Sequence, residues 1–117
     1  MIFVIDDDEI MRECIVRACG DDVEVREFGD GLAAMELITD GIIPDLVFLD
    51  ILLDGPNGFT LLNEMVSYVD TAKVPVVIVT SLDMADKDLS VYGVVGILAK
   101  DVMRPSEVRS YVEEYAK

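Results

Sequence analysis

The fold is decided by a short apolar run that ends in a carboxylate, within the stretch LVFLDILLDGPNGF at residues 46–59. Residues 46–49 are bulky and unbroken by polar side chains, as is typical of a parallel strand covered by helices on both faces. Asp50 follows the run directly. The runs IFVI at residues 2–5 and VVIV at residues 76–79 have the same character. Together these runs predict a buried parallel sheet.

Outward from this stretch, strand-like runs alternate with segments of helical period along the chain. The predicted strands cover residues 2–5, 23–28, 46–49, 76–79 and 94–99. The predicted helices cover residues 9–19, 31–39, 58–69, 85–92 and 105–115. The second strand alternates apolar with charged residues, so we expect it at an edge. Right-handed crossovers then predict an α/β fold, a doubly wound parallel sheet of order 2-1-3-4-5 with helices on both faces.

Length and composition favour one packed body. The chain has 117 residues, of which 52% are hydrophobic, and we expect residues 1–117 to form a single domain. The formal net charge is −15, which would repel phosphate backbones and anionic lipids. We therefore expect no direct binding of nucleic acid or membrane. Because no apolar run approaches the roughly 20 residues of a membrane span, and the N-terminus lacks a signal-peptide pattern, we expect a cytoplasmic location.

The two cysteines, Cys14 and Cys19, fall in one predicted helix. Their spacing points them to different sides of that helix, so we expect reduced thiols rather than a disulfide. The chain has no His and no CxxC spacing, which leaves a zinc or haem site without ligands. A hard metal ion bound by oxygen is the remaining class.

Polar residues stand where the predicted strands end, at the rim where doubly wound sheets place their sites. They are Asp6, Asp7 and Asp8 after strand one, Asp50 after strand three, Thr80 and Ser81 after strand four, and Lys100 after strand five. Clustered carboxylates repel one another unless they bind a cation such as Mg²⁺. A carboxylate can also accept a phosphoryl group when the metal, an ammonium and a hydroxyl neutralise the transferring charge. The rim therefore suits phosphoryl transfer.

These residues resemble the motifs of the receiver domains of bacterial response regulators, in the same order and over essentially the whole chain. The matching residues are Asp6 and Asp7 in VIDDDE, Asp50 in LVFLDILLDGPNGF, Gly58, Thr80 in PVVIVTS, and Lys100 in GILAKD. The resemblance implies the flavodoxin-like receiver fold and a two-component signalling switch with Asp50 as phosphoacceptor. It also implies that Asp7, Asp50 and the backbone carbonyl of Leu52 bind Mg²⁺, or Mn²⁺ in its place. Asp6 would act on the ion directly or through water.

The same resemblance implies partners. A sensor histidine kinase or a phosphotransfer protein would supply the phosphoryl group, and a downstream output protein or effector domain would receive the signal. Phosphorylation would shift the face formed by predicted helix 85–92, strand 94–99 and helix 105–115, and the active form can be a homodimer. Such a domain assists its own modification and is a switch rather than a metabolic enzyme.

Three positions depart from the family pattern. Asp54 replaces a Pro that usually follows the phosphoacceptor by four residues, and Asp101 replaces a Pro that usually follows the strand-five Lys. A cis bond before Asp101 would cost roughly 3 kcal/mol, so we expect a trans bond or an altered loop. Ile97 replaces the usual Tyr or Phe, so the signal must pass through the surroundings of Thr80 or through another side chain.

Two apolar residues predict how long the aspartyl phosphate survives. Leu52 and Leu82 occupy the positions that flank the phosphoryl group in this family, where neither can orient an attacking water and both can exclude it. They predict slow hydrolysis. With Ser81 and Ile97, they are the candidate switch and access residues.

Three other interpretations remain open. Asp6, Asp7 and Asp8 can simply cap and begin the first helix. Asp6-x-Asp8, Thr80 and Lys100 also resemble the catalytic series of haloacid-dehalogenase-type phosphatases, although that family has no use for Asp50. A receiver-like module that binds its partner without being phosphorylated is the third interpretation.

Overall fold

The computed structural model describes residues 1–51, 58–81 and 89–117. The strands are β1 (Ile2–Ile5), β2 (Val25–Phe28), β3 (Leu46–Leu49), β4 (Val76–Thr80) and β5 (Val94–Ala99). The α-helices are α1 (Glu9–Cys19), α2 (Gly31–Thr39), α3 (Gly58–Val66) and α4 (Pro105–Tyr115), and a short 3₁₀ helix covers Ser90–Tyr92. The expected bounds of β1, β3, β5, α1, α2 and α4 are confirmed.

The five strands form one parallel sheet in the order β2-β1-β3-β4-β5. The predicted topology and the edge position of β2 are thus confirmed. Successive side chains of the central strands enter different cores, since they alternate across the sheet. Phe3 and Val47 belong to the core that includes residues of α2 and α3, whereas Val4 and Phe48 belong to the core that includes residues of α1 and α4. Helices therefore cover both faces.

Four element boundaries differ from the sequence prediction. β2 begins at Val25 rather than at residue 23, and β4 includes Thr80. α3 ends at Val66 rather than at residue 69, because the Ser67 N–H bonds the Glu64 carbonyl and tightens the last turn. Of the helix expected over 85–92, residues 85–88 lie outside the described residues, and the rest contains the 3₁₀ turn, which is followed by Gly93 at a φ of 79°. A left-handed φ of this kind stops a helix.

Local signals explain where two helices begin. Asp8 caps α1 by accepting hydrogen bonds from the backbone N–H groups of Ile10 and Met11. At α4, Pro105 stands in the first turn and the Glu107 carboxylate accepts from the Arg104 N–H. α1 therefore starts directly after the rim residues Asp6, Asp7 and Asp8, whereas four residues separate Lys100 from the start of α4.

Two smaller expectations are also confirmed. Cys14 is an exposed free thiol and Cys19 a buried one, so the two form no disulfide. The described residues contain no cis peptide bond, and the bond between Lys100 and Asp101 is accordingly trans. A search of the described helices finds none with the length and apolar character that a membrane span requires.

Candidate functional site

The sheet places the candidate residues by hydrogen bonds that continue just past the strands. The Asp6 N–H donates to the Phe28 carbonyl at 3.0 Å, and the Asp50 N–H donates to the Ile5 carbonyl at 2.9 Å. The Lys100 N–H donates to the Thr80 carbonyl at 2.9 Å. These bonds fix the backbone of the rim, so the residues at the ends of β1, β3, β4 and β5 lie along one edge of the sheet.

Lys100 lies between two buried carboxylates. Its Nζ donates to Asp50 Oδ2 at 3.0 Å and to Asp6 Oδ1 at 3.4 Å. Asp6 and Asp50 are 1% and 4% exposed, so these charges lie largely out of water. Asp6 Oδ2 is 3.1 Å from the ammonium as an ion pair, but it accepts no hydrogen bond from the described residues. One lysine therefore leaves a buried carboxylate oxygen without a hydrogen-bond donor.

Two residues of this cluster, Asp6 and Lys100, have shifted pKa values. Burial raises the pKa of the Asp6 carboxyl above its usual range, against the opposing effects of the Asp8 N–H and of Lys100. Burial by itself would lower the pKa of Lys100, but its hydrogen bonds to Asp50 and Asp6 and their negative charges outweigh this effect and raise it. Lys100 is thus held as an ammonium ion beside the two carboxylates.

Asp7 completes a group of ligands suited to a divalent cation. Carboxylate oxygens of Asp6, Asp7 and Asp50 lie within 4.8 Å of one another, and Asp7 is exposed at the mouth of the cluster. Hard oxygen donors at this separation fit Mg²⁺ or Mn²⁺. The buried Asp6 oxygen without a donor is an independent sign of the same fit, because a cation would satisfy it. The expected contribution of Leu52 lies outside the described residues.

The capping interpretation holds for Asp8 alone. Asp8 caps α1, and its N–H donates to Asp6 Oδ1 at 2.9 Å, which orients the Asp6 carboxylate.

Sequence reasoning missed Arg12, whose Nη1 donates to the Asp6 backbone carbonyl at 2.8 Å while its Nε pairs with Glu27 at 3.2 Å. The only sequence signal was its place one turn after the acidic run. Arg12 thus links α1 to the backbone at Asp6 and stabilises its position.

Gly58 lies against the backbone of Asp50 and Ile51. A Cβ at this position would be 2.6 Å from Ile51 Cα and 2.8 Å from the Asp50 carbonyl oxygen, closer than real Cβ atoms come. Only glycine lets α3 begin so near Asp50. The match of Gly58 to the receiver pattern therefore has a steric cause.

The candidate switch residues divide between the described and the undescribed parts of the chain. Thr80 is fully buried at the end of β4 and pairs with Ala99 of β5, while Ser81 is exposed. Ile97 pairs with Ile78 and packs against the core on the α2–α3 side. Leu52, Asp54 and Leu82 lie outside the described residues, so the slow-hydrolysis hypothesis stays a prediction.

Comparison with known proteins agrees with this fold and site. Residues 2–113 match the family described as "Response regulator receiver domain", and the chain belongs to that family. Receiver domains are signalling switches that accept a phosphoryl group and bind Mg²⁺ or Mn²⁺ at an acidic pocket. The family assignment leaves the phosphatase alternative without support.

Individual relatives show how far the similarity extends. Response regulator PleD of Caulobacter vibrioides is 31% identical over 83 residues, which are 70% of this chain but only 18% of PleD. The receiver domain of NtrX from Brucella abortus is 27% identical with a TM-score of 0.82, covering 97% of this chain and 96% of that one. The receiver domain of NarL from Mycobacterium tuberculosis is 28% identical with a TM-score of 0.74, covering 97% and 92%. The similarity to PleD is thus to a small part of a longer protein.

Proposed function

We propose that this domain receives a phosphoryl group on Asp50 with the help of a divalent cation, and that the modified domain signals to a partner. One observation carries the proposal. Lys100 contacts Asp50 at 3.0 Å in the same cluster in which Asp6, Asp7 and Asp50 bring carboxylate oxygens within 4.8 Å. Acceptor, cationic side chain and metal ligands therefore lie within one small volume.

The chain's own residues divide the chemistry among them. A carboxylate oxygen of Asp50 forms the new bond to phosphorus, while the bond from phosphorus to the donor's imidazole nitrogen breaks. Lys100 stabilises the negative charge of the transferring group, and Thr80 stands at the end of β4 to donate a hydroxyl hydrogen bond to it. Mg²⁺ or Mn²⁺, when bound by Asp6, Asp7, Asp50 and the Leu52 carbonyl, supplies further positive charge at the phosphoryl oxygens.

Two structural neighbours are consistent with this chemistry. Response regulator Rcp1 is described in a Mn²⁺-bound form, and response regulator RcpA in a phosphorylated form. At 21% and 23% identity they share the fold with this chain. That this chain binds a cation and accepts a phosphoryl group is our proposal, and its own carboxylate cluster supports it.

We assign the partners by the same reasoning. A histidine kinase or phosphotransfer protein supplies the phosphoryl group in the cytoplasm, and residues 1–117 act as one unit. The output is a downstream protein or effector domain, or a homodimer that forms on phosphorylation. Because Ile97 is aliphatic, β5 and its neighbours relay the signal without an aromatic rotamer at this position.

The test is the intact mass of the protein after incubation with acetyl phosphate and Mg²⁺. We expect a gain of one phosphoryl group, about 80 Da, which requires both Asp50 and the metal. The matched control is Asp45→Asn, at an exposed carboxylate outside the cluster, which should label normally while Asp50→Asn does not. Absence of labelling in a folded protein that binds Mg²⁺ would favour an interaction module that works without phosphorylation.

A further inference from the structure

The surface between α2 and α3 contains a groove that takes no part in the proposed phosphoryl chemistry. Two cavities of about 200 and 270 Å³ share Thr39 and Tyr68 as lining residues, and together they form what we call the α2–α3 groove. Its floor includes the buried side chains of Ile38 and Leu61. The larger cavity is therefore an apolar cleft between the two helices, and the smaller one continues it along the residues that follow them.

Large apolar side chains stand exposed at its edges. Leu32 on α2 is 55% exposed and Tyr68, just past α3, is 54% exposed, and both line the larger cavity. Half-buried Met35 lies between them in the lining. Single exposed apolar residues are ordinary, but a continuous apolar cleft with exposed edges is typical of a binding surface.

Among the described residues that line the groove and the cavity beside it, every charged side chain is acidic. Glu36, Asp40, Glu64 and Asp70 lie in or beside the two cavities. No Lys or Arg is among the described residues that line it. In a chain of net charge −15, this edge attracts a cationic ligand and repels an anionic one. A second copy of this chain carries the same excess of negative charge, so this edge would repel it as an occupant of the groove.

The backbone of the groove selects a helix as the occupant. Apart from Tyr68, the larger cavity is lined by α2 and α3, whose backbone groups are bonded internally, and no described strand residue lines either cavity. An extended peptide would find no strand edge to pair with among these lining residues, whereas a helix satisfies its own backbone groups and needs only apolar side chains to insert. We propose that the α2–α3 groove binds a cationic amphipathic helix of a partner protein, with its apolar stripe in the cleft and Lys or Arg residues facing the acidic edge.

The probe is a synthetic peptide of about 18 residues, long enough to form a helix, with Leu on one face and Lys elsewhere. A second peptide has the same composition with the Leu residues spread around the helix. Both are titrated into ¹⁵N-labelled, unphosphorylated protein while amide shifts are followed. We expect the first peptide to shift residues of α2 and α3 and the second to bind much more weakly. Equal binding of the two would overturn the proposal, because only net charge would then matter.

Matched variants locate the binding site. Leu32→Gln removes an exposed apolar edge residue, and Val91→Gln makes the same kind of change on a residue that is 73% exposed elsewhere. We expect Leu32→Gln to weaken binding about fivefold or more, as a contributing interface side chain does, and Val91→Gln less than about twofold. Both positions are exposed, so both variants should keep the wild-type melting temperature.

A second pair of variants tests the charge. Glu36→Gln with Glu64→Gln removes two charges beside the groove, whereas Glu24→Gln with Glu114→Gln removes two exposed charges elsewhere. We expect only the first pair to weaken binding by more than about twofold and to reduce its salt dependence. Equal effects of the two pairs, or shifts centred on α1 and α4, would overturn the assignment of the groove.

Discussion

At the scale of single residues, Asp6 shows how a bound cation would complete the site. Its carboxylate is buried, and one oxygen has an ion-pair neighbour in Lys100 but no hydrogen-bond donor in the part of the chain that the structure describes. Lys100 is shared with Asp50, so one ammonium faces two buried carboxylates. Burial of charge that is only partly compensated is costly, and a bound metal ion offsets that cost.

Gly58 is the residue for which a single added methyl group should matter most. We expect Gly58→Ala to lower the free energy of unfolding by about 2–3 kcal/mol, because the added Cβ overlaps the backbone of Asp50 and Ile51. Urea unfolding measures it. Gly29→Ala is the control, since its Cβ would meet only Arg12 Nη1 at 3.6 Å, and it should stay within about 0.5 kcal/mol of wild type. Similar losses for the two variants would contradict the steric explanation.

Cys19 should make stability fall in alkaline solution. Burial raises the pKa of its thiol to about 11 from 9.0, so the folded state keeps a proton that the unfolded chain releases. The thiol's contribution is complete below pH 9 and is lost as the pH rises toward 11, by about 2–3 kcal/mol. Urea unfolding at pH 8 and 10.5 should show a smaller loss for Cys19→Ala than for wild type or Cys14→Ala. An equal loss in all three proteins would exclude Cys19 as the cause.

Leu52 and Leu82 should give the aspartyl phosphate a long lifetime. Neither side chain can orient water for attack, so we expect the phosphorylated wild type to persist well beyond seconds. Leu82→Gln should shorten the lifetime, whereas Val91→Gln should not. Intact mass after removal of acetyl phosphate follows the decay. A wild-type lifetime of only seconds would refute this prediction.

The sequence predicted the position of the candidate residues in the fold better than it predicted their surroundings. Asp6, Asp50 and Lys100 could be placed because each directly follows an apolar run, and parallel strands end at a common edge. Arg12 could not be predicted, because its role depends on hydrogen bonds to both the Asp6 carbonyl and Glu27. That depends on how α1 lies beside β2, which periodicity does not specify.

At the scale of secondary-structure elements, α4 packs against β5 through the ring of Tyr111, which fills the space that a side chain at Gly96 would occupy. A Cβ on Gly96 would lie 1.9 Å from the Tyr111 hydroxyl oxygen and 2.5 Å from its ring carbon Cζ. The ring of Tyr111 in turn stacks on Tyr115, with centroids 6.4 Å apart. Gly96 therefore sets how closely the last helix can approach the strand that leads to Lys100.

We expect Gly96→Ala to destabilise the domain by about 1–3 kcal/mol through this overlap. In a Tyr111→Leu background the same change should cost much less, because the smaller side chain leaves room. A double-mutant cycle by urea unfolding gives the coupling, which should be at least about 1 kcal/mol. Additive effects would show that the strain at Gly96 arises elsewhere.

Helix ends were the weakest part of the sequence prediction. The apolar period of α3 continues to Val69, yet the helix ends at Val66, and Val69 is 92% exposed. The helix ends where the Ser67 N–H donates to the Glu64 carbonyl, and the apolar pattern does not reveal this hydrogen bond. By contrast, α1 and α4 begin at side-chain caps or Pro that can be recognised in sequence.

At the scale of the whole molecule, cation binding and folding should be linked. Mg²⁺ at a hundred times its dissociation constant should stabilise the folded state by about 2.7 kcal/mol and raise the melting temperature by several degrees. Asp7→Asn should remove most of this gain, whereas Asp101→Asn, at an exposed carboxylate beside Lys100, should keep it. Calorimetry with and without chelator measures both. If Mg²⁺ stabilised Asp7→Asn as much as it stabilises wild type, Asp7 would be excluded as a ligand of the ion.

The overall topology followed from sequence because each local pattern agreed with it. Unbroken apolar strands, an alternating edge strand and helices of one apolar face lead to the same doubly wound sheet. The α2–α3 groove did not follow, since it arises from the spacing between two helices that each look ordinary. Cavities depend on packing distances rather than on pattern.

The contact of Tyr111 with Gly96 also gives the molecule an optical signal of its own. The chain has no Trp and only four Tyr, so its near-ultraviolet emission comes from tyrosine alone. One of these emitters covers β5, the strand that leads to Lys100. Any shift of β5 on phosphorylation changes the surroundings of that ring, and the domain can then be followed by its own fluorescence, without a dye.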